Sequence, residues 1–465
     1  MTTIDQQIRA LGSCEVVVYL KPQSRTPMRA LNGFFSNPNM KIAAEEVGAL
    51  QKVAFKSASP KARSFVAIRR SVIHLPNLGM MVGTVTADGL KHLRSSGAVA
   101  RVTSIPEISL IRPTSNEGVA AGGGPPPDNW GLAAIRADKL WEKGFTGRGV
   151  AVAHLDTGME STHPVIVGAL SNWMETDYPG QIVEPSTAYD DNGHGTHTSG
   201  ILGARHPAGT PVVGCAPEVQ LFSAKCIERG ELNRRVLTSL DWAAGKNVRV
   251  ISMSMGSRSY VSEWRPVMQR LRSLGILVIA AVGNEGPNTS RSPANYPEVL
   301  SVGMTNRAER VDADSSSEAV NPTTGQPVPK LVAPGVEITS SYLSASYSSL
   351  TGSSMATALV AGLAALLLQA VPSLSPDQLE SSIVGSCRLP QGVDKVRAGA
   401  GIPDAVKALE LAQQFAPTAT AAAVATGAPA KHVAHAKRAA KKTSPRRLQK
   451  AGRAKSSQRS TGRKR

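Results

Sequence analysis

Val150-Ala151-Val152-Ala153-His154-Leu155-Asp156-Thr157-Gly158 is a mostly apolar run that stops at a carboxylate followed by Thr-Gly. Its apolar character is nearly continuous rather than alternating, as a strand covered on both faces requires. Four further runs behave alike, at residues 220–227, 249–255, 276–282 and 299–304. Between them, the spacing of apolar residues predicts helices at 195–202, 235–245 and 262–274. This strand–helix rhythm over residues 129–412 predicts a mainly parallel sheet with helices on both faces, a three-layer α/β fold. Only 4% of residues are aromatic, so Ala, Val, Leu, Ile and Met must fill the core.

Working outward, residues 1–112 read as a small α+β domain. Strands are predicted at 15–20, 80–86, 99–104 and 107–111, and helices at 42–53 and 87–94. Residues 113–128 carry Gly122-Gly123-Gly124-Pro125-Pro126-Pro127 and form a Gly/Pro linker by composition, a natural place for a boundary or a cut. Residues 413–465 turn Ala/Pro-rich and then Lys/Arg-rich, with little to bury, so disorder is expected.

The formal net charge of +18 is concentrated in that tail. Residues 431–465 hold 14 of the 52 Lys+Arg and no acid, whereas the rest of the chain sets 38 against all 34 Asp+Glu. A run of this kind attracts nucleic acid or another polyanion without sequence preference, through counterion release. It has no interleaved aromatic residues, so base stacking is not expected. The four cysteines, Cys14, Cys215, Cys226 and Cys387, are too few for a disulfide scaffold and read as thiols. Residues 1–9 lack the basic start and apolar core of a secretory signal. Cytoplasmic location is therefore the default expectation, with export by an unrecognised route left open. The apolar run 355–371 contains Thr357, Gly362 and Gln369 and stops before Pro372, so a buried helix is expected rather than a membrane span.

Three segments carry chemistry. Asp156 ends a strand, and in parallel sheets ligand-handling groups gather at the carboxyl ends of strands. His194 lies in Asn192-Gly193-His194-Gly195-Thr196-His197, a loop entering a helix. Ser354 lies in Thr351-Gly352-Ser353-Ser354-Met355-Ala356, where a helix begins and free backbone N–H groups are at hand. A serine hydroxyl becomes a nucleophile only with an imidazole to take its proton and a carboxylate to orient that imidazole. The three residues lie 38 and 160 positions apart, so only folding could assemble them. Asn284, at the end of run 276–282, offers an amide to a developing oxyanion. Singly, each has a plainer explanation: a turn for Asp156-Thr157-Gly158, an N-cap for Ser354, a turn for Gly283-Asn284, or a metal site for His194 and His197.

Together, these motifs resemble those of the subtilisin-like serine proteases, over residues 129–412. The resemblance implies a subtilisin-like fold and peptide-bond hydrolysis in extended polypeptides, with Asp156, His194 and Ser354 as the catalytic triad, an order known in that family. It makes Asn284 the oxyanion donor and His197 a packed neighbour. Ser254, Met255, Gly256, Ala281, Val282 and Gly283 would line the pocket for the substrate side chain, and Glu285 would stand where it could draw a basic one. Gly214-Cys215-Ala216-Pro217 and Val332-Ala333-Pro334-Gly335 resemble two turns of the family. The N-terminal unit resembles its propeptides, which are ferredoxin-like α+β domains whose end occupies the cleft. Residues 108–118 would therefore block the cleft of a zymogen until self-cleavage within 111–128. No cofactor is needed for catalysis. Many relatives hold structural calcium in a loop that corresponds to residues 204–211, but that loop has no Asp, Glu or Asn here. Ser353 and Ala358-Leu359 also depart from the family, which has Thr and Pro-His there. The alternative is a catalytically silent protein on this scaffold that binds polyanions through its basic tail.

Overall fold

A computed structural model describes residues 3–21, 72–118, 127–319 and 325–416. The helix expected at 42–53 and the basic stretch 431–465 lie outside the described residues.

The N-terminal unit begins with α1 (Ile4–Leu11). Thr3 and Gln6 form a capping box at its start, and Gly12, with φ of 75°, terminates it in the left-handed region. Strands β1 (Cys14–Leu20), β2 (Ile73–Leu75) and β3 (Met80–Val85), helix α2 (Ala87–Ser95) and strand β4 (Val99–Ser104) follow. The strands make one antiparallel sheet in the order β2-β3-β1-β4. Its β1 is buried on both faces: Val16 and Val18 pack under α1 and α2, while Val17 points into the body of the protein. Two short strands, β5 (Ser109–Leu110) and β6 (Ser115–Gly118), lead onward. The second arises inside the segment read as linker, because it gains a partner strand from far along the chain.

The body is built on β7 (Ala151–Asp156), β8 (Leu170–Glu175), β9 (Gln220–Lys225), β10 (Val250–Met253), β12 (Leu277–Ala281), β14 (Val299–Thr305) and β15 (Leu331–Pro334). They form a seven-stranded sheet, β15-β14-β12-β10-β7-β9-β8, in which every pairing is parallel. Helices α3 (His194–Gly203), α6 (Ser353–Ala370), α7 (Pro376–Ser386) and α8 (Ala405–Gln413) cover one face. The other is covered by α4 (Leu232–Ala244) and α5 (Arg265–Ser273), and on them sits the N-terminal sheet. The α/β expectation therefore holds, and the expected helix at 262–274 divides into a 3-10 turn, Ser262–Trp264, and α5.

The expected strand 249–255 breaks at Ser254. Beyond it, β11 (Met255–Arg258) leaves the sheet and pairs antiparallel with β5 and with β13 (Arg291–Ser292). A third small sheet joins β16 (Ile338–Tyr342), β17 (Ser346–Thr351) and β6. The Val332–Gly335 motif read as a turn is, up to Pro334, strand β15.

Docking of the N-terminal unit adds polar contacts to the shared core. Asp241 of α4 accepts from the Leu78 N–H at 2.9 Å and from Asn77 Nδ2 at 3.2 Å. The Tyr19 hydroxyl donates to the Glu263 carbonyl at 2.6 Å. Arg234, fully buried, pairs with Glu15.

Helix α6 runs through the middle of one layer, and among the described residues it alone is long and apolar enough to span a bilayer. Within the fold, 89% of it is buried. Its small residues permit close approach: a Cβ on Gly362 would lie 2.4 Å from Cys215 Cβ. Gly362→Ala is therefore expected to destabilise the protein by about 1–3 kcal/mol. Thermal unfolding of the variant beside the parent measures this; an unchanged midpoint would show that the helix can shift to make room.

Candidate active site

The carboxyl edge of the sheet is where the strands deliver their polar residues. Asp156 closes β7, Ser254 follows β10, and Gly283-Asn284 follow β12. Two helices start at the same edge, α3 with His194 as its first residue and α6 with Ser354 as its second.

The meeting of Asp156 and His194 depends on two glycines. A Cβ on Gly158 would stand 2.1 Å from the Tyr189 carbonyl oxygen, in the loop that leads to His194. A Cβ on Gly195 would stand 2.1 Å from the Gly158 carbonyl oxygen, so the first turn of α3 can lie on the Thr157-Gly158 turn only without a side chain. That approach puts His194 Nδ1 2.7 Å from Asp156 Oδ1, with both side chains almost fully buried. Burial alone would push the Asp156 carboxyl up. The adjoining His194 outweighs it, aided by its hydrogen bond and by the Thr157 N–H at 2.7 Å, and holds the carboxyl below its ordinary value. For His194, burial disfavours the charged ring, but the Asp156 carboxylate outweighs this and raises its pKa.

Asp190 and Lys225, which sequence reading missed, lock these loops. Asp190 Oδ2 accepts from the Thr196 N–H and hydroxyl, both at 2.8 Å, and Oδ1 accepts from Thr157 Oγ1 and the Asn192 N–H at 3.0 Å. Lys225 Nζ, buried at the end of β9, donates to the Thr157 carbonyl at 2.7 Å and to Asp191 at 2.6 Å. The available signal was an acid four residues ahead of His194 and a lysine ending a strand.

Ser354 is completely buried, and its hydroxyl donates to the Ile111 carbonyl at 3.1 Å rather than to His194. His194 Nε2 is buried and has no hydrogen-bond partner among the described residues. Asn284 has its orientation fixed: Oδ1 accepts from the Ser353 N–H at 2.9 Å and from the Ser353 hydroxyl at 2.8 Å. Its Nδ2 therefore faces the cleft and donates to the Arg112 carbonyl at 2.8 Å. Ser353, a departure from the family pattern, retains the hydroxyl that this requires.

The chain's own residues 107–118 occupy the cleft. The Ile111 N–H donates to the Ser254 carbonyl at 3.0 Å, and Leu110 and Ser109 pair with Met255 and Gly256. On the far side, the Thr114 N–H donates to the Thr351 carbonyl at 2.8 Å, and β6 continues along β17. The Ile111 side chain is fully buried, whereas Arg112 reaches Glu228 at 2.8 Å. Of the expected pocket residues, Ser254, Met255 and Gly256 thus meet the peptide backbone. Ala281 pairs with Val302 in β14, the Val282 N–H bonds to the Val302 carbonyl, and the Gly283 N–H bonds to Ser353 Oγ. Glu285 does not stand free for a basic substrate side chain, because Arg291 pairs with it. Glu228 is paired with Arg112 of the chain's own segment.

His197 Nε2 is 3.0 Å from the Ser348 carbonyl, and burial pushes its pKa down to about 3. Among the described residues no group of three or more His, Cys, Asp or Glu is disposed to hold a metal ion. The loop at 204–211 does not fit calcium. The Arg205 guanidinium already donates to the carbonyls of Gly168, at 2.5 Å, and Val219, at 3.2 Å, where a metal cation would be repelled.

A parallel sheet whose carboxyl edge opens on a cleft taking up an extended peptide defines a protein of the subtilisin-like α/β class. Comparison with known proteins agrees. Residues 147–406 match the model of the subtilase family, more than half of the chain, and the chain belongs to that family. It is 37% identical to Subtilisin BL of Lederbergia lenta over 259 residues, which is 55% of this chain and 89% of that protein. It is 32% identical to Subtilisin DY of Bacillus licheniformis over 262 residues, again 55% and 89%. To the thermostable alkaline protease of Halalkalibacterium halodurans it is 33% identical over 257 residues, 55% of this chain and 66% of the relative. The protein is thus a subtilisin-like serine protease.

Asp190→Asn weakens the four-bond clamp on the Asp156 and His194 loops. Peptide hydrolysis is expected to fall by about 10²-fold, as for small misplacements of reacting groups. Stability is expected to fall by about 1–3 kcal/mol. Steady-state kinetics and thermal unfolding together check it, and wild-type kinetics in the variant would remove Asp190 from the site.

Proposed function

We propose that this chain is a self-processing serine endopeptidase in which Ser354 attacks the scissile carbonyl of an extended polypeptide. His194 takes the serine proton and returns it to the leaving amine. Asp156 orients the ring and stabilises its charged form. Asn284 Nδ2 and backbone N–H groups at the start of α6 receive the oxyanion. The observation that carries the reading is the 2.7 Å Asp156–His194 contact beside a cleft that already holds a peptide strand, with the Ser354 hydroxyl against one of its carbonyls.

On this reading, residues 1–111 act as a propeptide and the first bond cut is Ile111–Arg112. Support comes from the Ser354 hydroxyl lying on the Ile111 carbonyl, from the Ile111 N–H bonded to Ser254, and from the buried Ile111 side chain. Asn284 holds the next carbonyl, that of Arg112, so acylation requires its amide to move back by one peptide unit. Ser354→Ala is expected to leave the full-length chain uncut and unlabelled by a fluorophosphonate. Amino-terminal sequencing of the wild-type mature form is expected to begin at Arg112. A start at Pro113 would assign the attack to the carbonyl that Asn284 holds, and normal maturation of Ser354→Ala would give the cut to another protease.

Catalysis needs neutral His194. Because Asp156 raises the pKa of this imidazole above its ordinary value of 6.5, kcat/KM is expected to fall with acidification through an apparent pKa above 6.5. A profile flat from pH 8 to pH 5 would exclude His194 as the base.

A further inference from the structure

Behind Asp156, on the side away from His194, lies a second buried histidine that the catalytic scheme leaves unused. His154 sits two residues earlier on β7, with its side chain 1% exposed. Its Nδ1 is 3.2 Å from Ser223 Oγ on β9, and its Nε2 is 2.9 Å from Thr198 Oγ1 on α3. Thr198 Oγ1 in turn lies 3.2 Å from Asp156 Oδ2, the oxygen that His194 does not engage. His154 itself stands 3.8 Å from that oxygen, beyond direct bonding, so its connection runs through the threonine.

Donor and acceptor capacity then orders the protons. The Thr198 hydroxyl has three acceptors within reach, the carbonyls of His194 at 3.0 Å and Gly195 at 3.3 Å and the ionised Asp156 at 3.2 Å. The charged acceptor binds its proton more strongly than the neutral carbonyls, and the Thr198 oxygen is then free to accept from His154 Nε2–H. That leaves His154 Nδ1 as an acceptor for the Ser223 hydroxyl. The result is a chain of three hydrogen bonds, Ser223 to His154 to Thr198 to Asp156, all pointing at one carboxylate oxygen in a site sealed from water. Burial keeps His154 neutral, against the pull of Asp156, so it acts as a dipole rather than a charge.

We infer that His154 and Thr198 are positioning residues of the protease reaction, which fix the second oxygen of Asp156 and set how strongly it polarises His194. The inference rests on the proposed triad. Each hydrogen bond donated to Asp156 Oδ2 makes the carboxylate a weaker base and lessens its hold on the protonated imidazole. Removing the chain therefore raises the His194 pKa. The charged and titratable groups around it remain: Asp156, His194 and Asp190 about His154, Glu228 and His197 about His194, and Lys225 opposite Asp156 on β9. From β10, the residue in register with His154 is Ser252.

The test is the pH profile of kcat/KM, on enzyme purified from the full-length chain and counted by fluorophosphonate titration. Thr198→Val replaces the hydroxyl by a methyl of the same shape, and His154→Leu removes the ring. Each is expected to move the acid limb upward by roughly half a pH unit. The double variant is expected to move it no further than the larger single effect, because the two residues form one chain. Thr198→Ser and His154→Gln, which keep a donor in place, are expected to restore the wild-type limb. If one apolar variant does not fold, the other decides. An unmoved limb in a folded, active Thr198→Val or His154→Leu enzyme overturns the inference and leaves the triad standing. Absence of labelling and of an acid limb in the wild type overturns both.

Discussion

The absence of two side chains, at Gly158 and Gly195, is the constraint on which the site depends. The sheet delivers Asp156 and helix α3 delivers His194, but neither element alone sets their separation. It is set where the turn after β7 meets, backbone to backbone, the Tyr189-Asp190 segment at Gly158 and the first turn of α3 at Gly195. Asp190 then ties Thr157 to Thr196 across that junction, and Lys225 ties Thr157 to Asp191. A carboxylate and an imidazole from different layers are thereby held at 2.7 Å with almost no solvent to screen them.

Burial also explains why the polar residues around the pair are so fully committed. An isolated charge at this depth would be costly, so the Asp156 carboxylate is met by hydrogen-bond donors on both oxygens. Asn284 shows the principle in its simplest form. Its carbonyl is occupied by Ser353, and the amide end is what remains to face the peptide. Only a donor in that position can serve a developing negative charge, and the neighbouring residue selects it.

Much of this was legible in the sequence, for reasons that can be named. Continuous apolar runs marked β7, β9, β10, β12 and β14, because strands covered on both faces have no polar alternation to hide them. Asp156, His194, Asn284 and Ser354 stood at the ends of those runs or at helix starts. What sequence reading missed depends on long-range pairing. Strand β6 lies in a segment of linker composition and becomes a strand only by joining β17, more than 200 residues away. The break at Ser254 turns on two different partners, a parallel one before it and an antiparallel one after it. Glu285 looked available until Arg291 was brought beside it by the fold. Glu228 has no local pattern that sets it apart from an ordinary surface charge. The position of Asp190 four residues ahead of His194, or of Lys225 at a strand end, does not by itself reveal the partners that the fold supplies.

The N-terminal sheet turns Val17, Met80 and Val82 into the same apolar layer that holds Leu237, Leu240 and Met268 of the body. Severing one peptide bond in the cleft removes a covalent tether but leaves that common interior intact, together with the Asp241 and Arg234 contacts. On the proposed processing, the two fragments stay together as a tight non-covalent complex. Latency then outlasts the cut, and its duration is set by how slowly an oil-filled joint dissociates in water.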